Sequence, residues 1–277
     1  MKKLTFLLIL VTFVVSFFSC NREIVSTDLE EITTINASNP LNPYDFIGEM
    51  HNKALGNVMM QVSISSKKMS IQEIIDISRA CSFEQLSIFP MTKSITLDEI
   101  EGMTEEEVLR LLEDFDNNFD NFINELDLSL QAKSELRTFV STMLSMSETD
   151  NLDYDMLYQE VVNFENSLLV NGQTELNEID ELAVLGGTAT LRYSLAYWED
   201  TCVTLDTKSG PRKWWKWVVI GLADACGAVT GAITGYTVGT AIERPILGAV
   251  AGAVGGAVTA SSTATTWVDK WGSSSVE

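Results

Sequence analysis

The sequence predicts an all-α protein, a helical bundle followed by a C-terminal antiparallel glycine-zipper helical hairpin. Three observations carry this. Apolar residues between 44 and 199 recur at steps of three and four, with no strand-like alternation of useful length. Two capping boxes, Ser70-x-x-Glu73 and Thr104-x-x-Glu107, open such runs. Near the C-terminus, two series of glycines at steps of four flank a proline.

Composition narrows the function classes. The 277 residues are 45 % hydrophobic, enough for a sizeable core in one large domain or two ordinary ones. Lys plus Arg number 18 against 39 Asp plus Glu, a net charge of −21. Nucleic-acid binding needs basic patches and is disfavoured. One His and four Cys leave little material for a zinc site or a His-based triad. The charge is uneven: residues 1–20 carry +2, residues 211–277 carry +1, and residues 21–210 carry −24.

In chain order, residues 1–19 are expected to be a targeting segment. Lys2 and Lys3 form a basic start, Leu4 to Phe18 is almost wholly apolar, and Ser19-Cys20 closes the run. This resembles a bacterial lipoprotein signal, which implies lipidation of Cys20; ordinary cleavage and an uncleaved anchor are the alternatives. Several acyl chains on Cys20 would anchor the protein firmly, as one would not. Of the other cysteines, Cys81, Cys202 and Cys226, none shares a CxxC spacing, and an odd number is no disulfide framework. Cys81 is expected to be a buried free thiol.

Residues 20–42 are polar and read as a flexible tether. Residues 43–200 are expected to be an acidic bundle of five to seven helices. In the first, Asn42 can cap and Pro43 can take the first position. Tyr44, Ile47, His51, Leu55 and Val58 mark one face, so His51 reads as a satisfied core histidine. The next run follows Ser70; residues 82–97, with Pro90, read as a loop. A long run with Val108, Leu111, Phe115, Phe119, Ile123 and Leu126 follows Thr104. Further helices are expected over about 128–146, 154–170 and 174–199. Asp114, Asp116, Asn118 and Glu125 have EF-hand spacing, but Phe119 stands where the sharp turn needs Gly, so these residues read as a solvated helix face. Gly186-Gly187, faintly like a double-glycine leader, reads as a helix break or a close-packing point. No metal or cofactor is expected, and no catalytic residue stands out.

Residues 201–211 read as a linker. The hairpin is expected over 212–270, with 271–277 as a tail. Its start packs Trp214, Trp215, Lys216 and Trp217 together, a composition suited to a membrane–water interface or to docking on the body. Gly227, Gly231, Gly235 and Gly239 lie on one helix face, and Gly248, Gly252, Gly256 and Ala260 on one face of the next. Facing stripes pair Gly239 with Gly248, Gly235 with Gly252, Gly231 with Gly256 and Gly227 with Ala260. Asp224 falls on the glycine face, so it is expected to hydrogen-bond hydroxyls of the second helix around Thr263. Both segments exceed the roughly 20 residues that a membrane span needs. A central Asp makes insertion marginal.

Asn42-Pro-Tyr-Asp-Phe-Ile-Gly-x-x-His-Asn52, Leu191-Arg-Tyr-Ser-Leu-Ala-Tyr-Trp198 and Ala223-Asp-Ala-Cys-Gly-Ala228 give the chain a layout that resembles uncharacterised lipoproteins of the Bacteroidetes type. The resemblance implies an envelope location and supplies no catalytic residue. The tail alone resembles glycine-zipper segments of envelope lipoproteins and of some pore-forming bacteriocin peptides. The expected function is that of a non-enzymatic envelope lipoprotein whose hairpin packs in a membrane or mediates self-association. The expected partners are a membrane, through the lipid and the hairpin, and a second copy of the chain. The alternative is a membrane-active, bacteriocin-like protein with the acidic bundle as carrier.

Overall fold

Nine α-helices and no strand account for the secondary structure of the described residues in the computed structural model. These residues are 36–65, 69–97, 100, 103–117, 119–149, 152–169, 174–205 and 214–274, and the side chains of 112–117, 202–205, 214–215 and 266–274 fall outside them. Cys20, Asn118, the Cys202 side chain and most of the expected linker therefore lie outside the described residues. In order the helices are α1 (Asp45–Ile64), α2 (Ile71–Ile88), α3 (Glu105–Asn117), α4 (Phe119–Glu125), α5 (Leu130–Ser147), α6 (Tyr154–Leu168), α7 (Glu178–Leu205), α8 (Trp214–Ala241) and α9 (Pro245–Ser274).

Local chemistry sets most boundaries. Ser70 caps α2 reciprocally with Glu73, and Thr104 does the same for α3 with Glu107. Ser129 and Asp153 cap α5 and α6 by accepting the backbone N–H three residues on. Four expectations need correction. Tyr44, not Asn42, is the N-cap of α1, because the Asn42 amide is drawn inward to Glu165. Residues 82–88, read as loop, continue α2, since buried Leu86 belongs to the core. The long run after Thr104 forms two helices, α3 and α4, instead of one, and they turn back on each other so that Glu125 pairs with Arg110. Helix α7 runs to Leu205, into the expected linker.

α8 and α9 lie antiparallel at the centre. α7 packs along α8, α1 lies against α7, α2 and α9, and α2 covers α9. α3, α5 and α6 close the remaining sides. Residues 33–277 form one compact unit, so bundle and hairpin share a core. Sequence explains this placement. The acidic helices have one apolar stripe each, whereas α8 and α9 are apolar or small all round and must be covered on every side.

The hairpin turn is tightly specified. Arg244 N donates to Gly239 O at 2.7 Å and Glu243 N to Thr240 O at 3.2 Å, the two bonds of a Schellman cap. Glu243 takes the left-handed position, with φ 59°. Pro245 follows at once and starts α9 opposite Gly239.

That short turn shifts the register from the expected one. A Cβ at Gly231 would overlap the Gly252 carbonyl, one at Gly235 the Gly248 carbonyl, and one at Gly227 the Gly256 carbonyl. The closest partners are thus one helical turn away from the expected pairs. The expected partners form the second contact: Gly252 also meets the Gly235 Cα, Gly248 the Gly239 Cα, and Gly227 the Ala260 Cβ. Gly231, Gly235, Gly248, Gly252 and Gly256 each nest between two glycines of the opposite helix, because interleaving brings the backbones closer than direct opposition does.

Candidate functional site: buried polar groups around the hairpin

The hairpin brings one carboxylate into the core. Asp224, on α8, is fully buried. Its Oδ2 accepts from Ser261 Oγ of α9 at 2.9 Å and from Ser194 Oγ of α7 at 2.5 Å. His51 of α1, also fully buried, places Nε2 3.8 Å from the same oxygen. Four helices therefore meet at one side chain. The expected hydroxyl from the second helix is present: it comes from Ser261, two residues before Thr263, because the interleaved register brings residue 261 to the carboxylate. Thr263 is itself fully buried on α9.

Burial dominates the protonation of this group. It pushes the Asp224 carboxyl up to about 8, with the Ser194 and Ser261 hydroxyls pulling the other way. It pushes the His51 imidazole down to about 4, against the hydrogen bond between Nδ1 and Asn52 Oδ1. Both side chains are uncharged near pH 7, so the 3.8 Å approach is not an ion pair. His51 Nε2 and Asp224 Oδ1 have no hydrogen-bond partner among the described residues. His51 is therefore a core histidine, as its stripe implies, but only one ring nitrogen is satisfied. Burial, and secondarily the charge of Asp224, raises the nearby Cys226 thiol. Cys81 and Cys226 are both buried free thiols.

A second polar cluster clamps the chain's entry into the fold. Arg192, fully buried on α7, pairs with Glu165 of α6 at 3.0 Å and with Asp45 of α1 at 2.6 Å. Its guanidinium also donates to the Ala37 carbonyl. Glu165 accepts from the amides of Asn39 at 2.7 Å and Asn42 at 2.8 Å. Ser38 Oγ donates to Asp45, and Tyr158 Oη donates to Ser38 O. The end of the expected tether, from residue 36, is thus held on the body. Sequence reasoning missed this cluster. The available signal was Arg192 itself, the single charge in an otherwise apolar stretch of α7, which requires an acid partner.

The remaining site residues are placed as follows. Trp217 stacks on Trp198 of α7, with ring centroids 5.3 Å apart, so it docks on the body and does not face outward. Lys216 is half-buried beside it, and the side chains of Trp214 and Trp215 lie outside the described residues. Gly187 is a close-packing point: a Cβ there would press on Val229 and on the Ala225 carbonyl of α8. Among the described residues, no group of three or more His, Cys, Asp or Glu side chains converges as a metal site requires. No protein-family model, curated protein or solved structure matches this chain.

Proposed function

We propose that the chain is a non-enzymatic cell-envelope lipoprotein, held at a membrane through Cys20, whose glycine-zipper hairpin is the packing spine of an acidic helical body. One observation carries this reading. The hairpin is enclosed by the chain's own helices, with 78 % of the most apolar stretch of α8 and 89 % of that of α9 buried. The one acid of α8, Asp224, is met by Ser194 and Ser261 inside the core and not at an open cleft. The resemblance of residues 1–20 to a lipoprotein signal supplies the membrane attachment, and the docked strap at residues 36–42 carries that attachment into the fold.

The test is alkaline-carbonate fractionation of the chain with Cys20→Ala, exported by an ordinary signal. The expected result is release into the soluble fraction, because most of the hairpin's apolar surface is covered by the chain's own helices. Retention with membranes would overturn the reading.

A second reading, a membrane-active protein with the acidic bundle as carrier, is favoured by one feature. Lys216–Ala241 and Pro245–Thr265, 26 and 21 residues long, are long and apolar enough to cross a bilayer once uncovered. Leakage of vesicles on adding the full Cys20→Ala chain would support it.

A further inference from the structure

Asp224 is the only acid in α8. A fully buried carboxylate is a poor way to gain stability, since a well-packed apolar residue usually does as well or better. Its surroundings nevertheless attach the hairpin to its cover. Ser194 ties it to α7, Ser261 ties it across the hairpin to α9, and His51 reaches it from α1. One oxygen of the carboxyl and one nitrogen of the imidazole, both sealed from solvent, have no hydrogen-bond partner among the described residues. Two ionisable groups held side by side with an open valence each can still exchange protons with solvent whenever the core opens.

We propose that the Asp224–His51 pair is a proton-operated latch on the hairpin: uncharged Asp224 keeps α8 and α9 docked on α1 and α7, and its ionisation loosens that docking. The titratable groups that face it are few. His51 comes from α1 and Cys226 lies two residues along α8. Tyr197 of α7 shares the apolar cluster that holds Ala223 and Cys226. α9 presents Ser261 and Thr263, and α2 contributes Ser78, which bonds Ser262. Among the described residues no fixed positive charge stands against the carboxylate to stabilise its ionised form.

The sign follows from linkage. Asp224 is raised from 3.8 to about 8, so its contribution to stability is complete below the unfolded value and is lost as pH rises through 8. His51 is lowered from 6.5 to about 4, so its contribution is complete above 6.5 and is lost as pH falls through 4. Between 4 and 6.5 the two trends oppose each other. Between 6.5 and 8 Asp224 acts alone, and the latch loosens toward the alkaline side.

The experiment uses the full chain with Cys20→Ala. Opening is read by amide hydrogen exchange over residues 218–235, corrected for the intrinsic rate, and by labelling of Cys226 normalised to the unfolded chain. The wild-type opening constant is expected to rise up to about tenfold per pH unit between pH 6.5 and 8. Asp224→Asn, which keeps an acceptor for both serines, should flatten that rise. Ser194→Ala should raise opening at every pH and leave the rise intact. A flat wild-type profile, or an unchanged slope in Asp224→Asn, overturns the latch. If Asp224→Asn does not fold, infrared titration of the unsubstituted side chain decides. A protonated carboxyl band that persists at pH 7 and disappears near pH 8 supports the latch, and no such band at pH 7 overturns it. None of these readouts depends on lipidation or on a bilayer, so the latch and the proposed function fail separately.

Discussion

Glu243 occupies a backbone position that glycine usually fills. Its φ of 59° at the hairpin turn costs an L-residue about 1–2 kcal/mol. Both turn bonds are made by backbone atoms, so removing the side chain leaves them intact. Glu243→Gly is therefore expected to stabilise the chain, by about 0.5–1 kcal/mol once the added freedom of the unfolded chain is counted. Thermal unfolding should show a rise of about 1–4 °C. Arg192 raises the opposite issue. Its charge is balanced by Glu165 and Asp45, and its contact with Ala37 makes it the point where strap, α1, α6 and α7 meet.

For single elements, the glycines fall into two kinds that look alike in sequence. Alanine normally stabilises a helix over glycine by about 0.5–1 kcal/mol. At Gly231 the added Cβ overlaps the Gly252 backbone carbonyl, which moves only if the whole of α9 moves. Gly231→Ala is expected to destabilise by about 1–3 kcal/mol, as overpacking does. At Gly186 the Cβ meets Ile47 Cδ1, the end of a flexible side chain, at 2.9 Å. Gly186→Ala should lie within about 1 kcal/mol of neutral. Urea denaturation of the two variants checks the contrast, and equal effects would contradict the backbone-to-backbone packing.

The whole molecule has its most apolar helices at its centre and its acidic ones outside. α1 and α2 bury their stripes on α9, and α7 buries one side on α8. Each of the three hydrophobic clusters among the described residues includes side chains of α8 or α9. A chain ending at residue 210 is expected to lose cooperative unfolding and fixed tertiary packing, read by near-ultraviolet circular dichroism and denaturant titration. Two independent domains would instead leave the body's transition intact.

Helix type and order follow from local rules, which is why the sequence alone determined the all-helical class, both capping boxes, the His51 stripe and the positions of α8 and α9. Periodicity, caps and proline act within one or two turns, and one chain contains them in full. The hairpin's two glycine stripes were legible for the same reason. Only the tertiary structure decided their register, because that depends on a six-residue cap, Gly239–Arg244, with a left-handed glutamate just before its end. It also decided that Trp217 stacks on Trp198, that Ser261 and Ser194 meet Asp224, and that Glu165 and Arg192 hold Asn39, Asn42 and Ala37. These contacts join residues 19 to 155 positions apart. Each requires that a charge or ring leaving water find a partner, and the fold, not the spacing, supplies that partner.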